Sequence, residues 1–179
     1  MKYNIQIMSK QEMTLYSAKD LNTKCIIISI NDSYHNTVIY KNKNIIDVLK
    51  LHFDDITEEQ KIKYKLNSKL VTREDIKQIK EFIDKYKDNI NTIIVHCTAG
   101  ISRSGAVGCV LARYLNDDDM YLFKNGKHMP NETVYRFMCE EFNLEWNKKE
   151  FKNKCRISNK KCREQFRNDY GQDLDDMFI

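Results

Sequence analysis

The chain has 179 residues and six cysteines, 31 % of its residues are charged, and its formal net charge is +4. That length suits one domain with a substantial core. The longest apolar run, Cys25 to Ile28 resumed at Ile30, excludes a membrane-spanning helix, which needs about 20 apolar residues.

Tyr3 to Met8 alternates apolar and polar side chains and predicts a strand, followed by a helix over Gln11 to Ala18. Cys25 to Ile30 is a continuous apolar run of the kind found in a buried strand. Ile45 to Phe53 predicts another strand, running directly into Asp54-Asp55-Ile56-Thr57. From Thr57 to Val71 the chain is rich in Lys and Glu, with no Pro or Gly, and reads as either a charged loop or a short surface helix. Thr72, with Asp75 three positions on, marks a helix start, and Ile76, Ile79, Ile83 and Tyr86 then recur at helical spacing.

Asn91 to His96 predicts a central strand, and Ser104 to Leu115 a helix burying Ala106, Val107, Val110, Leu111 and Leu115. Asp117-Asp118-Asp119 reads as a solvated turn at its end. Asn131, preceded by Pro130, caps a further helix carrying Val134, Phe137, Met138 and Phe142. Alternation of strands and helices predicts a single α/β domain with a central, mostly parallel sheet flanked by helices.

Between the central strand and its helix lies His96-Cys97-Thr98-Ala99-Gly100-Ile101-Ser102-Arg103-Ser104-Gly105. Of the six cysteines only Cys97 has an arginine six positions on. The stretch puts one thiol and one guanidinium at the two ends of a loop of small residues. Backbone N–H groups of such a loop, leading into a helix N-terminus, bind phosphate oxygens and favour a thiolate. An arginine bonds two of those oxygens through parallel N–H donors, as lysine cannot. The predicted site is a phosphate cradle with a nucleophile at its base.

The string HCTAGISRSG after Ile93-Ile94-Val95 closely resembles the signature of the cysteine-dependent protein tyrosine phosphatase superfamily. Its Arg-Ser pair is more similar to the dual-specificity-like branch and its bacterial and viral relatives than to the large tyrosine-specific enzymes. The resemblance implies a dual-specificity-phosphatase-like fold over residues 1–146 and hydrolysis of phosphotyrosine, with or without phosphoserine and phosphothreonine, in a phosphorylated protein substrate. Cys97 is then the nucleophile, Thr98, Ala99, Gly100, Ile101, Ser102 and Arg103 bind the phosphoryl group, His96 supports the loop and the thiolate, and Ser104 either caps the helix or donates to the Cys97 sulfur. Nucleophile and charge clamp are both protein groups, so no cofactor or metal is expected.

The leaving oxygen needs a proton from a positioned acid. In the resembling family this is an Asp on a loop after a strand, upstream of the nucleophile. Asp54 and Asp55 stand in that place, and neighbours in extended chain face opposite ways, so one of them faces the site. The Phe-x-Asp-aliphatic pattern of bacterial-type relatives favours Asp55 over Asp54, with Asp32 or Asp75 as further alternatives. Rival readings are a phosphoinositide or RNA 5′-phosphatase of the same superfamily and a non-catalytic phosphate-binding module. Against the first, Thr98, Ala99, Ile101 and Ser102 bring no lysine into the loop.

Residues 147–179 form a basic, then acidic segment, expected to be helical and packed on or appended to the domain. Asn147 to Arg167 holds nine basic and two acidic residues, and four aspartates lie in the last eleven. The favoured reading is a solvated helical face answered by the acidic end; nucleic acid or anionic lipid are the alternatives. The N-terminus lacks the apolar core of a secretory signal and a thiolate enzyme needs a reducing compartment, so a cytoplasmic location is expected.

Overall fold

A computed structural model describes residues 3–18, 23–32, 38 and 40–170. Among them the strands are β1 (Asn4–Ser9), β2 (Cys25–Asn31), β3 (Ile45–His52) and β4 (Thr92–Cys97). The helices are α1 (Lys10–Ser17), α2 (Glu58–Tyr64), α3 (Arg73–Tyr86), α4 (Arg103–Asn116), α5 (Met120–Lys124), α6 (Glu132–Glu141) and α7 (Lys148–Tyr170). The strands form one parallel sheet in the order β1-β4-β2-β3, flanked by helices, in a single α/β domain.

Central strands β2 and β4 are buried at every position, which is why apolar residues dominate both. Their side chains alternate between two cores. Ile26, Ile28, Ile30, Ile93, Val95 and Cys97 face the larger one, which holds Ile76, Ile79 and Ile83 of α3 and Val107, Val110 and Leu111 of α4. Cys25, Ile27 and Ile94 face a smaller one closed by Met13 of α1. Gly108 lets α4 lie hard against the sheet edge, since a Cβ there would stand 2.5 Å from Ile7 Cγ1.

Capping boxes start three helices. Ser9 and Glu12 close α1, Thr57 and Gln60 close α2, and Thr72 and Asp75 close α3, each side chain bonding the other's backbone N–H. The charged stretch after Thr57 is therefore a surface helix over Glu58–Tyr64 rather than a loop.

The aspartate triplet departs from the expected solvated turn. Asp117 takes the left-handed position ending α4, and Asp118 Oδ1 accepts from the Met120 N–H, but Asp119 is buried. Its carboxylate accepts from Lys154 Nζ at 2.9 and 3.1 Å and from the Tyr135 hydroxyl at 2.7 Å. Lys154, counted in sequence with the solvated basic face, is thus an interior residue. Burial opposes its charge, but the bonds to Asp119 and Glu150 outweigh that and hold the ammonium above its ordinary pKa. α7 also buries Phe151 and Ser158 against the body. Of the acidic end, Asp173, Asp175 and Asp176 lie outside the described residues.

Candidate active site

The C-terminal ends of parallel strands collect functional groups at one edge of an α/β sheet, and this sheet does so. β2 runs into Asp32, β3 runs into Phe53-Asp54-Asp55, and β4 ends at Cys97. The chain after Cys97 turns through Thr98–Ser102 into α4. Gly100 has φ +74, and a Cβ there would come within 2.5 Å of Ser9 N, so only glycine lets the loop pass this close to the β1–α1 junction.

Cys97 and Ser104 are both buried, with Sγ and Oγ 3.1 Å apart. Ser104 is not the cap of α4; that position belongs to Ser102. Arg103 lies in the first turn, only 3 % exposed. Its Nη1 donates to the Phe53 carbonyl at 2.8 Å and pairs with Asp32 Oδ1 at 2.6 Å. Nη2 makes a long 3.3 Å bond to Thr98 Oγ1, and buried Nε has no hydrogen-bond partner. The anchored nitrogen orients the guanidinium and leaves the Nε–Nη2 edge, the fork that bonds two anionic oxygens in parallel. A buried charged donor without a partner is a position that a water or an anion can satisfy.

The two candidate acids part company. Asp55 Oδ1 accepts from Ser102 Oγ of the loop at 2.8 Å and from Asn131 Nδ2 at 3.0 Å. Asp54 turns the other way: its Oδ2 accepts from the Lys69 N–H at 2.8 Å and its own N–H donates to the Lys69 carbonyl. Asp75 is the capping partner of Thr72. Asp32 reaches the loop, but as the partner of Arg103 and as acceptor from Thr98 Oγ1 at 2.7 Å.

Three residues support the loop; the sequence marks Asn131 as a helix cap but does not single out His128 or Tyr40. Asn131 caps α6 through Oδ1 while its Nδ2 holds Asp55 and the Ile56 carbonyl, so one side chain ties the acid loop to the helix entry. His128 Nδ1 bonds the Gly100 carbonyl at 3.1 Å, and the Met129 and Asn131 N–H groups bond the Ile101 and Ser102 carbonyls. Tyr40 OH lies 2.6 Å from His96 Nε2. The Pro130-Asn131 pair was the only one of these with a sequence signal beyond its residue type.

His96 was expected to support both the loop and the thiolate. Strand alternation puts its ring on the face of β4 opposite Cys97, beside Tyr40. Burial, aided by the Lys10 charge, pulls its pKa to about 4, so the ring is neutral and lends Cys97 no positive charge. Because the unfolded chain takes up this proton near pH 6.5 and the folded one only near pH 4, His96 makes stability fall as pH drops through that window. The loss is about 3 kcal/mol by pH 4. His128, also lowered by burial, acts in the same sense. Urea unfolding at pH 7 and pH 4.5 should show this loss in the wild type and a visibly smaller one in His96→Asn; equal pH dependence in the two proteins contradicts the assignment.

Burial raises the pKa of Cys25 and Cys109 and pushes Cys139 and Cys155 up to about 11, which keeps these four as unreactive thiols. Beyond the loop a groove of about 590 Å³ is lined by Met8, Glu12, Leu15, Ala99, Ile101 and His128 among others, with Ile101 and Leu15 exposed on it. Cys97 and Arg103 are not part of its lining.

A family model, "Dual specificity phosphatase, catalytic domain", matches residues 5–123. No curated protein matches the sequence. Among solved structures, PTPMT1 in complex with PI(5)P superposes with a TM-score of 0.52 at 15 % identity, covering 84 % of this chain and 93 % of that one. The human tyrosine phosphatase-like serine/threonine/tyrosine-interacting protein gives a TM-score of 0.49 at 19 % identity, covering 74 % and 83 %. At 15 % identity the PTPMT1 structure speaks to the fold alone. The match over residues 5–123, which contains Asp55, Cys97 and Arg103, means that the chain belongs to the dual specificity phosphatase catalytic-domain family.

Proposed function

We propose that the protein is a phosphatase that removes phosphate from tyrosine side chains of proteins, and from serine and threonine where they reach Cys97, through a cysteinyl-phosphate intermediate. The observation that carries this reading is the buried Arg103 fork, with Nε unpartnered and Nη2 reaching Thr98 Oγ1 of the loop that starts at the buried Cys97–Ser104 pair. Cys97 Sγ attacks phosphorus as the thiolate while the bond to the leaving oxygen breaks. Arg103 and the loop N–H groups hold the equatorial oxygens as charge shifts among them. Asp55 gives its proton to the leaving oxygen; Ser102 and Asn131 fix its Oδ1 and leave Oδ2 for that transfer. In the second step Asp55 takes a proton from water as the water oxygen bonds to phosphorus, the S–P bond breaks, Ser104 donates to the departing sulfur, and inorganic phosphate leaves.

Exposed Ile101 and Leu15 beside the loop offer apolar surface suited to an aromatic side chain and its flanking residues. The PI(5)P-bound neighbour shares the fold only, and the loop carries no lysine for a second phosphate. The thiolate chemistry fits a reducing, cytoplasmic setting; among the described residues no helix is long and apolar enough to cross a membrane.

The acid assignment is tested with a phosphotyrosine peptide, whose leaving phenol needs the proton. Asp55→Asn should lower kcat roughly 100-fold or more, whereas Asp54→Asn, whose carboxylate faces Lys69, should retain it within about threefold. The reverse pattern assigns the acid to Asp54. Faster turnover of a phosphoinositide or a 5′-phosphorylated RNA than of any phosphopeptide replaces the substrate reading.

A further inference from the structure

α7 carries its charge on one line. At 3.6 residues per turn, Lys149, Lys152, Arg156, Lys160, Arg163 and Arg167 fall within about 60° of a single stripe roughly 27 Å long. All six are exposed. Phe151, Lys154 and Ser158 project from the opposite side and are buried, with Ser158 Oγ donating to the His128 carbonyl at 2.6 Å and Lys154 paired to Asp119. The helix is thus held by its back and presents its cations outward as a rigid row. Among the described residues no carboxylate lies within ion-pair distance of Lys149, Lys152, Arg156 or Lys160, unlike Lys148, which pairs with Glu132. Three of these four also line a shallow cleft of about 430 Å³ with Lys148 and Asn153.

We propose that this outer face of α7 docks the protein on an anionic lipid bilayer, a role independent of the phosphatase reading. A straight row of cations touches a plane along its whole length. Single-stranded nucleic acid is gripped by aromatic platforms interleaved with the charges, whereas between Lys149 and Arg163 the stripe has none, its one aromatic pair, Phe166 and Tyr170, lying at the C-terminal end of the helix. Each Lys or Arg at an anionic surface strengthens partitioning roughly fivefold, and the attraction decays within a Debye length. Four such residues acting together make the docking strong at low salt and weak at high salt.

The test is sedimentation of the full chain with vesicles of phosphatidylcholine alone and of phosphatidylcholine with phosphatidylserine at about 3:1. Binding is expected only to the second, falling as salt rises. The fourfold variant K149E/K152E/R156E/K160E should lose at least about 100-fold in partitioning while keeping the wild-type thermal melt and wild-type turnover of p-nitrophenyl phosphate. The corresponding fourfold Gln variant serves if charge reversal perturbs folding, and should lose binding to a smaller degree. Absence of binding to the phosphatidylserine vesicles, equal binding to both vesicle types, or full retention by the variants overturns the proposal. So does tighter binding of a single-stranded or duplex RNA than of the anionic vesicles, which assigns the face to nucleic acid.

Discussion

Replacing Arg103 by Lys should cost roughly 100- to 1,000-fold in kcat with p-nitrophenyl phosphate, and Cys97→Ser at least about 10,000-fold, with little change in the thermal melt of either. In the proposed mechanism Arg103 does two jobs at once. Nη1 is committed to the Phe53 carbonyl and Asp32, which fixes the plane of the guanidinium, and the Nε–Nη2 edge remains for oxygens. A lysine has one nitrogen; it can satisfy the anchor or the phosphoryl group, and it offers no parallel pair of donors. In Cys97→Ser the shape of the site is kept, with Ser104 Oγ still beside the substituted atom, but a hydroxyl is both a far weaker nucleophile near neutral pH and a poorer leaving group from phosphorus. Retention of a tenth or more of wild-type turnover by either variant contradicts the roles proposed for these residues.

Lys154→Met is expected to destabilise the protein by about 3–5 kcal/mol, a fall in Tm of roughly 10 °C for a chain of this size. Removing the ammonium leaves Asp119 buried with only the Tyr135 hydroxyl to answer its charge, and an uncompensated interior carboxylate is among the costly defects a single substitution can make. The pair also joins the turn after α4 to α7, so its loss loosens the contact that places Ser158 on the His128 carbonyl, and through His128 the brace on Gly100. The exposed neighbour Lys152, changed to Met, should stay within about 0.5 kcal/mol of wild type. Chemical unfolding of the two variants separates them; a Lys154→Met protein within 1 kcal/mol of wild type refutes the account of this pair.

Lys154 and Asp119 also show where sequence reading stops. A lysine among nine basic residues and an aspartate in a triplet carry the pattern of solvent-facing charge, and only the folded chain sets them 35 positions apart in contact. Local signals did better because they rest on neighbours in the chain: Thr72 with Asp75 gives the start of α3, and the apolar runs at Cys25 and Ile93 become the two buried central strands. Cys97 and Arg103 are six residues apart, so their spacing alone puts them at the two ends of one loop. Asp55 was favoured in sequence only through the family resemblance, because the partners it meets in the fold, Ser102 and Asn131, are 47 and 76 positions away. The face of β4 taken by His96, and with it the choice between loop support and charge for the thiolate, follows from strand alternation once the strand is known to run through to Cys97. Asp32 and Tyr40, the partners of Arg103 and His96, had no motif to mark them; the position of Asp32 just past the end of a central parallel strand was the one available sign.

The central claim is that a phosphoryl group passes through the sulfur of Cys97. It is tested most directly by mixing the Ser104→Ala protein, in which the second step lacks its donor to sulfur, with a phosphotyrosine peptide, quenching rapidly, and mapping the modified peptide by mass spectrometry. The account predicts one phosphoryl group on Cys97, absent from Cys97→Ser. A phosphoryl group carried by another residue, or full turnover by Cys97→Ser with no modified cysteine, contradicts it.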